Sequence, residues 1–496
     1  MGAAAHWKGW AMEKIRERQA IDMDSRALLM GAQPDGSVPG ISALMGILRA
    51  LRLGLTSGEL IDQLRGLEDL KSAIASVQAR AAVAFELAQC REQASAGIPV
   101  AEQGQGAGVQ IALARRESPS RGSRFLGLGK ALVKEMPRTM AALESGQLNE
   151  WRATLLVKET ACLSLEDRRA VDEELAPDAG TFDGVGDKAI IAAAKAAAYR
   201  RDPRTVAQRA RHAATERTVS LRPAPDAMTY LTALIPVAQG VAVYAALTRK
   251  ADSVRSSGES RNRGQIMADT LVERVTGRRG GISGVDLEVI MTDRTLLQGD
   301  SEPARLKGYG IVPAEWARAL VGAGGAAVDE ARETGLPATG GNPAPTQDPE
   351  FTVWLRRLYT APSTGELITM DSKARIFPPG LRRFIEVRDD TCRTPYCDAP
   401  IRHIDHVVPW HAGGTTTVTN GAGLCEACNH TKENPGWAAR RLPDDVHTLE
   451  ISTPTGHSYR SSAPPLPGHG RSVKVPDFEA GAGQENVDPA DQFIDS

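Results

Sequence analysis

The stretch from Cys392 to Lys432 constrains this chain more than any other part of it. It reads CRTPYCDAPIRHIDHVVPWHAGGTTTVTNGAGLCEACNHTK, with one cysteine pair spaced C-x4-C and a second spaced C-x2-C. Four thiolates around one ion form a closed tetrahedral site, which is typical of structural zinc and leaves no open position for catalysis. The spacing therefore predicts a structural zinc site with the ligands Cys392, Cys397, Cys425 and Cys428.

The local pattern of this stretch predicts a strand, a loop, a second strand and a helix. Ile401–Val408 (IRHIDHVV) contains four β-branched residues and stops at Pro409, so it favours a strand. Gly423–Cys425 is expected to return as a short strand, and Glu426–Glu433 is expected to be a helix that ends before a proline and a glycine. This β-loop-β-helix unit would carry the chemistry.

Zinc does not account for the polar residues that lie between and after the cysteine pairs. Asp405 and Asn429 offer oxygen ligands, which suit Mg²⁺ or Mn²⁺. On the predicted helix Cys428 and Asn429 point about 100° apart, so one can face the zinc while the other faces a second ion. His406, with an ordinary pKa near ~6.5, is a competent base at neutral pH. Neighbouring residues on a strand point to opposite faces, so a local twist or bulge is expected if Asp405 and His406 serve one site.

Asp405-His406, Asn420 and the segment CEACNHTK resemble the motif of the HNH (ββα-metal) endonucleases. The resemblance implies that Asp405 and Asn429 hold a divalent metal ion, that His406 activates water, and that Asn420 pins the loop. Asn429 stands where many members of the family have histidine. His430 is the next residue, so a shift of one position would make His430 the ligand instead.

The resemblance extends over most of residues 57–460. The segments RRFIEVRDDTCRTPYCDAPIRHIDHVVPW, LVKEMPRTMAALESGQLNEWRATLLVKETACLS and LRPAPDAMTYLTALIPVAQGVAVYAALTRKAD are similar to HNH proteins of actinobacteria and their phages. In those proteins the upstream segments belong to a helical domain of unknown function, of the thirteen-E-twelve repeat type. The family implies cleavage of DNA that leaves 5′-phosphate and 3′-hydroxyl ends.

Composition and length set the fold class. Of 496 residues, 42% are hydrophobic and only 4% are aromatic, which favours packed helices over sheet sandwiches. We expect an α+β protein, in which a mainly α-helical N-terminal domain precedes a small C-terminal ββα-metal HNH domain with a four-cysteine zinc site. The expected divisions are a weakly structured segment 1–56, the helical domain 57–320, a low-complexity linker 321–349, the HNH domain 350–460 and a disordered acidic tail 461–496.

Charge restricts where nucleic acid could bind. The net charge of the chain is −2, so a DNA-binding surface must be local. Residues 372–441 contain ten Lys and Arg and seven Asp and Glu, a local charge of +3. We expect Arg393, Arg402 and Lys432 to contact phosphate, although each taken singly is also compatible with a solvated surface charge.

The remaining features concern location and assembly. The N-terminus lacks the continuous apolar region of a signal peptide, and no run of 18 apolar residues could span a membrane. Paired cysteines in a long chain without such a signal are typical of metal binding in a reducing compartment, so we expect a cytoplasmic protein. A double-strand cut would need a homodimer or two successive nicks, and the sequence leaves both open.

These patterns predict a metal-dependent endonuclease. We expect His406 to be the general base, Mg²⁺ or Mn²⁺ to be held by Asp405 and Asn429, and Zn²⁺ to be structural. The alternative is a non-catalytic, zinc-stabilised module that binds nucleic acid. That alternative explains the cysteines and arginines but leaves the Asp-His pair and both asparagines without a role.

Overall fold

The computed structural model describes residues 40–176, 181–277, 287–321, 371–372, 375–444 and 446–468. Within these ranges, no helix is both long enough and apolar enough to cross a lipid bilayer. Apart from residue 321, the expected linker 321–349 lies outside the described residues, as does most of the expected acidic tail.

Helices dominate the N-terminal part of the described chain. They are α1 Ile41–Arg49, α2 Ser57–Ser95, α3 Ala107–Ala114, α4 Pro119–Lys134, α5 Pro137–Glu144, α6 Glu150–Glu159, α7 Leu165–Leu175, α8 Asp187–Arg201 and α9 Pro203–Ala213.

The starts of these helices follow from local sequence. The Thr56 hydroxyl accepts a hydrogen bond from the Glu59 backbone N–H, and the Glu59 carboxylate accepts one from the Thr56 N–H, which is a capping box at the start of α2. Pro119 and Pro137 occupy the first helical position of α4 and α5, where a missing N–H costs nothing. Ser164 caps α7 through the Asp167 N–H.

The helical core forms where α2 packs against α4 and α5 and the following helices close around them. Leu132, Met136, Leu143 and Leu148 have no exposed surface. Gly129 permits the close approach of α4 to α2, because a Cβ there would lie 2.8 Å from the Ala79 carbonyl oxygen. Each fully buried side chain of this size stabilises the folded state by about 1.5–3 kcal/mol. This cluster therefore holds the N-terminal region together.

A hairpin and two helices follow. Strands β1 Thr218–Ala224 and β2 Met228–Leu234 pair in antiparallel register, with Thr218 opposite Leu234. Helices α10 Val237–Ser256 and α11 Arg263–Thr276 pack on each other. A small sheet of β3 Val289–Ile290, β4 Ala304–Leu306 and β5 Gly310–Val312 follows, with α12 Asp293–Leu297 between its first two strands.

The C-terminal part contains the expected β-loop-β-helix unit. Helix α13 Pro379–Asp389 precedes β7 His403–His406, β9 Gly421–Leu424 and helix α14 Glu426–Thr431. Two short strands, β6 Asp371–Ser372 and β8 Thr416–Thr417, pair beside it, and β10 Ala438–Arg441, β11 Thr448–Ser452 and β12 Ser458–Ser462 form an antiparallel sheet.

Hydrogen bonds and ion pairs connect this unit to the rest of the chain. The Thr455 hydroxyl lies 3.0 Å from Oε1 of Gln110 on α3. On another side, Lys307 pairs with Glu386 of α13 at 2.9 Å, and Arg383 pairs with Glu288 at 3.0 Å. The fold is therefore α+β as predicted, with a helical N-terminal region and a small C-terminal unit that carries a four-cysteine cluster.

Several element limits differ from the sequence-based expectation. Within the segment 1–56 the sequence predicts a short helix over Ile41–Leu53, and the helix extends over Ile41–Arg49. The segment 285–292 alternates and is rich in β-branched residues, which predicts a strand, but its described part is a strand only at Val289–Ile290, because β4 offers only a short partner. The sequence also predicts a helix over Ser123–Met136, which begins earlier, at Pro119, since a proline is favourable at a first helical position.

Candidate functional site

The end of β7 positions two of the predicted site residues. Strand β7 pairs with β9 in regular antiparallel register, so that Asp405 lies opposite Ala422 and His406 opposite Gly421. Phe377 and Ile385 fill the space that a Cβ atom on Gly421 would need. That Cβ would lie 2.8 Å from the Phe377 ring and 2.4 Å from the Ile385 side chain. The close packing fixes the strand end against α13.

A cavity of about 440 Å³ lies at this strand end, and both Asp405 and His406 line it. Strand β7 contains no bulge, because its register with β9 is regular through His406; a local twist therefore stays a prediction. The lining combines acidic, basic and aromatic groups: Arg375, Ile376, Phe377, Arg382, Ile404, Asp405, His406, Pro409, Trp410, His411, Lys432 and Glu433.

The imidazole of His406 is held on several sides. Its Nε2 lies 2.9 Å from the hydroxyl of Thr416, a residue with no exposed surface, and that hydroxyl in turn lies 3.4 Å from the Arg375 carbonyl oxygen. The Phe377 ring packs at 4.6 Å between centroids and the Trp410 ring at 5.9 Å.

The two ring nitrogens of His406 differ in their hydrogen bonding. Among the described residues, Nδ1 has no hydrogen-bond partner. Burial lowers the pKa of the His406 imidazole, and the nearby charges of Lys432 and Arg375 add to that effect while Asp405 opposes it. The neutral ring is therefore favoured, with one nitrogen committed to Thr416 and one able to accept a proton.

Asp405 contacts a cation. Its Oδ1 accepts the backbone N–H of His406 at 2.8 Å, and its Oδ2 forms an ion pair with Nζ of Lys432. Lys432 also donates to the His406 carbonyl oxygen at 2.6 Å, which ties the residue after α14 to the end of β7. The carboxylate and the ammonium therefore lie together in the cavity.

Asn429 is on α14, which packs against β7. Its Oδ1 is buried and has no hydrogen-bond partner in the described part of the protein. A buried amide oxygen without a partner costs free energy, so this atom could accept a hydrogen bond or bind a cation. Asn429 is not among the residues that line the cavity itself.

His430 points elsewhere. It lines a separate, more open depression together with Arg402 and Glu426. Neither Asn429 nor His430 lines the cavity that contains Asp405, so the choice between them as a ligand stays a prediction.

Asn420 bridges the two ends of the loop between β7 and β9. Its Oδ1 accepts the Val408 N–H at 2.8 Å, and its Nδ2 donates to the carbonyl oxygens of Val408 at 3.1 Å and Thr415 at 2.8 Å. The loop also needs Gly414, because a Cβ there would lie 1.8 Å from the Val408 carbonyl oxygen. These bonds hold the segment after His406 to the segment that contains Thr416.

The four predicted zinc ligands come together. The Sγ atoms of Cys392, Cys397, Cys425 and Cys428 all lie within 4.8 Å of one another. Hydrogen bonds with Cys392 and Cys397, together with burial, raise the pKa of the Cys428 thiol, so a cation is needed before all four become thiolates. The crowded sulfurs fit a tetrahedral ion of the zinc type.

The three residues predicted to contact phosphate lie in different environments. The expectation for Arg393 is wrong: its side chain is 2% exposed, and its guanidinium bonds to Asp389 and to the carbonyl oxygens of His447 and Ser461. Arg402 is exposed, but it lies beside His430 and away from the cavity. Lys432 does line the cavity.

Sequence reasoning missed Thr416 and Trp410 as neighbours of His406. Thr416 is one of three consecutive threonines in a loop, and no spacing rule distinguishes it from the other two. Trp410 follows Pro409 in a short 3₁₀ turn, so its ring reaches the cavity only because that turn folds back toward β7. Neither position carried a sequence signal.

Comparisons with known proteins agree with this placement. Residues 392–435 match the family model of the HNH endonuclease. The uncharacterized protein Rv3776 of Mycobacterium tuberculosis H37Rv is 38% identical over 82 residues, which cover 16% of this chain and 15% of that protein. The uncharacterized protein Rv2100 of the same strain is 38% identical over 85 residues, which cover 16% of this chain and 14% of its own length.

The match to these curated relatives is local, since the chain spans about 15% of their length. No solved structure matches the chain. The family model and the four-cysteine cluster fall on the same part of the molecule: residues 392–435 resemble an HNH endonuclease domain and contain all four cysteines.

Proposed function

We propose that this domain hydrolyses phosphodiester bonds in DNA and that His406 is the general base. The observation that carries the proposal is one cavity lined by His406, by the Asp405 carboxylate and by the basic side chains of Arg375, Arg382 and Lys432. A base, an acidic ligand and cations beside one another are what attack on a phosphate requires.

In the proposed reaction, Nδ1 of His406 takes a proton from a water molecule. The water oxygen bonds to phosphorus as the bond from phosphorus to the 3′ oxygen breaks, and the leaving oxygen takes a proton from solvent. Thr416 holds Nε2 throughout, so the ring keeps its orientation as it becomes charged. Arg375, Arg382 and Lys432 would bind phosphate oxygens.

The donor set fits a hard divalent cation. Asp405 supplies a carboxylate that already attracts the Lys432 ammonium, and Asn429 supplies a buried oxygen without a partner among the described residues. We propose that Asp405 and Asn429 would hold Mg²⁺ or Mn²⁺, which when bound supplies positive charge beside the phosphate and the leaving oxygen. Zinc in the cysteine cluster would be structural.

A non-catalytic, zinc-stabilised module that binds nucleic acid is the second candidate. The ion pair between Lys432 and Asp405 favours it, because this pair already neutralises the carboxylate that a metal ion would need. In that case the basic side chains of the cavity would bind phosphate without cleaving it.

Cleavage of supercoiled plasmid by the full zinc-loaded chain separates the two candidates. The nuclease proposal predicts relaxed or linear product with Mg²⁺ or Mn²⁺ and none with EDTA. DNA binding in a gel-shift assay without any metal-dependent product would support the binding module instead. The ratio of relaxed to linear product would also tell whether one copy nicks or two copies cut together.

We further propose that residues 57–320 form a helical domain that accompanies the nuclease, as in proteins of the thirteen-E-twelve repeat type, and that residues 350–460 form the nuclease domain. The buried core that extends from helix α2 to helix α8 supports the first of these domains. A reducing, cytoplasmic location agrees with six cysteines that form no disulfide.

A further inference from the structure

A cluster of buried ionisable side chains bonds to the backbone of the turn that contains Asn420. Arg388, Asp389, Arg393 and His447 are each between 1% and 5% exposed. None of them lines the cavity or has a role in the proposed reaction. Burying charged groups is costly unless every one is paired and hydrogen-bonded, so the partners of this cluster indicate what it does.

Arg388 and Asp389 bond to the backbone on both sides of Asn420. The Arg388 guanidinium donates to the carbonyl oxygens of Val418 at 2.6 Å and Gly421 at 2.7 Å. The same guanidinium donates to both carboxylate oxygens of Asp389, at 2.7 and 3.0 Å. Asp389 in turn accepts the N–H of Gly423, at 2.7 Å, in strand β9.

His447 bonds to Thr419, which lies between Val418 and Gly421 in the turn. Its Nδ1 lies 3.3 Å from Nη1 of Arg393, and its Nε2 lies 3.0 Å from the carbonyl oxygen of Thr419. Arginine can only donate, so Nδ1 is the acceptor and Nε2 carries the hydrogen that is donated to Thr419. Arg393 also donates to Asp389 at 2.9 Å, which joins His447 to the Arg388 pair.

The carbonyls of Val418, Thr419 and Gly421 are therefore all held from one buried cluster. Only the Asn420 carbonyl turns the other way, where it accepts the Val407 N–H at 2.7 Å. Fixing the carbonyls on both sides fixes the direction of the Asn420 side chain, which bonds to Val408 and Thr415.

We infer that His447 and Arg388 are positioning residues for the nuclease site, which act by holding the Asn420 turn. Through that turn they set the distance between the strand end that carries His406 and the loop residue Thr416 that bonds to it. This inference rests on the proposed function for its effect on cleavage, but its structural half concerns only the bonds of Asn420.

His447→Leu tests the inference, because leucine removes the donor to Thr419 while filling much of the space. His447→Gln is the matched conservative variant, since its amide can donate to Thr419 and accept from Arg393. Leu466→Ala removes a buried side chain that packs against Val387 and serves as the control for a general loss of stability.

Two readouts are needed, both on the full chain. The first is amide exchange at Val407 and Val408, whose N–H groups bond to Asn420. The second is the single-turnover rate of plasmid cleavage at saturating DNA and metal, with DNA affinity measured separately. A stability defect alone would lower the melting temperature without selective changes in either readout.

For His447→Leu we expect the rate of amide exchange at Val407 and Val408 to rise roughly tenfold or more, because local opening of the turn then costs less free energy. The cleavage rate should fall by a similar factor, with DNA affinity within about threefold of wild type. His447→Gln should stay close to wild type in both, and Leu466→Ala should change neither selectively.

The inference is overturned if His447→Leu behaves like Leu466→Ala in exchange and in rate, or if glutamine fails to restore both readouts. If the wild-type chain cleaves no DNA, the proposed function fails by that result alone. Exchange at Val407 and Val408 then still decides whether His447 holds the Asn420 turn.

Discussion

Nε2 of His406 lies 2.9 Å from Oγ1 of Thr416, and Thr416 is fully buried. The Thr416 hydroxyl can donate its own hydrogen to the Arg375 carbonyl oxygen, 3.4 Å away, and so accept the hydrogen on Nε2. This arrangement leaves the lone pair of Nδ1 free. A threonine without a sequence signal thus decides which nitrogen of the proposed base can accept a proton.

Thr416→Val should lower the single-turnover cleavage rate roughly tenfold to a hundredfold, because leaving Nε2 unpaired costs about 1–3 kcal/mol. Thr416→Ser keeps the hydroxyl and should retain most of the rate. Melting curves of both variants provide the control for folding. Equal rates for the valine and serine variants would contradict the role of the hydroxyl.

Lys432→Met should strengthen the binding of Mn²⁺ several-fold. The ammonium of Lys432 pairs with the Asp405 carboxylate, so it competes with any cation that Asp405 would hold. Titration of zinc-loaded protein with Mn²⁺, followed by the electron paramagnetic resonance signal of free Mn²⁺, measures the change. Unchanged or weaker binding would argue that Asp405 is not a metal ligand.

Cys428→Ser should remove the bound zinc and unfold the C-terminal unit. Wild-type protein is expected to contain about one zinc ion per chain, and structural zinc contributes directly to folding. Cys90→Ser, which changes a cysteine outside the cluster, should keep the zinc. Elemental analysis together with limited proteolysis checks both variants, and a zinc-free wild type that resists proteolysis would refute the structural role.

Acid should destabilise the C-terminal unit through His447. Burial, together with the charges of Arg388 and Arg393, lowers the pKa of His447 from 6.5 to about 3, although Asp389 opposes the shift. The unfolded chain binds the proton more readily, so stability is full above pH about 6.5 and is lost as the pH falls toward about 3.

The matched variant for this pH dependence is His447→Gln, which has no titrating ring. Chemical unfolding followed at several pH values between 7 and about 4, with a probe in the C-terminal unit, should show a steeper loss of stability in wild type than in the variant. The same slope in both proteins would mean that His447 does not stay neutral in the folded state.

The sequence predicted the elements whose signals are local. Thr56 ahead of an acidic first turn, followed by apolar residues at three- and four-residue spacing, predicts a long helix to about Gln93, and α2 ends at Ser95. The four cysteines predict their own cluster, because two short spacings and one shared ion leave little freedom. The order of β7, β9 and α14 likewise follows from proline, glycine and cysteine positions.

The sequence did not predict contacts that depend on tertiary packing. Arginine usually lies at the surface, but Arg393 is buried. The carboxylate of Asp389, four residues before it, and the carbonyl oxygens of His447 and Ser461 accept the hydrogen bonds of its guanidinium. Thr416 and His447 reach their partners across ten and 28 residues. No periodicity or spacing rule encodes such pairs.

The central claim is that His406 is the base of a metal-dependent nuclease, and one pair of variants tests it most directly. His406→Ala removes the proposed base, while His403→Ala removes an exposed histidine of the same strand that does not line the cavity. We predict that His406→Ala lowers the rate of plasmid cleavage in Mg²⁺ or Mn²⁺ by roughly 10²–10⁴-fold and that His403→Ala stays near wild type. Cleavage by folded, zinc-loaded His406→Ala at the wild-type rate would contradict the account.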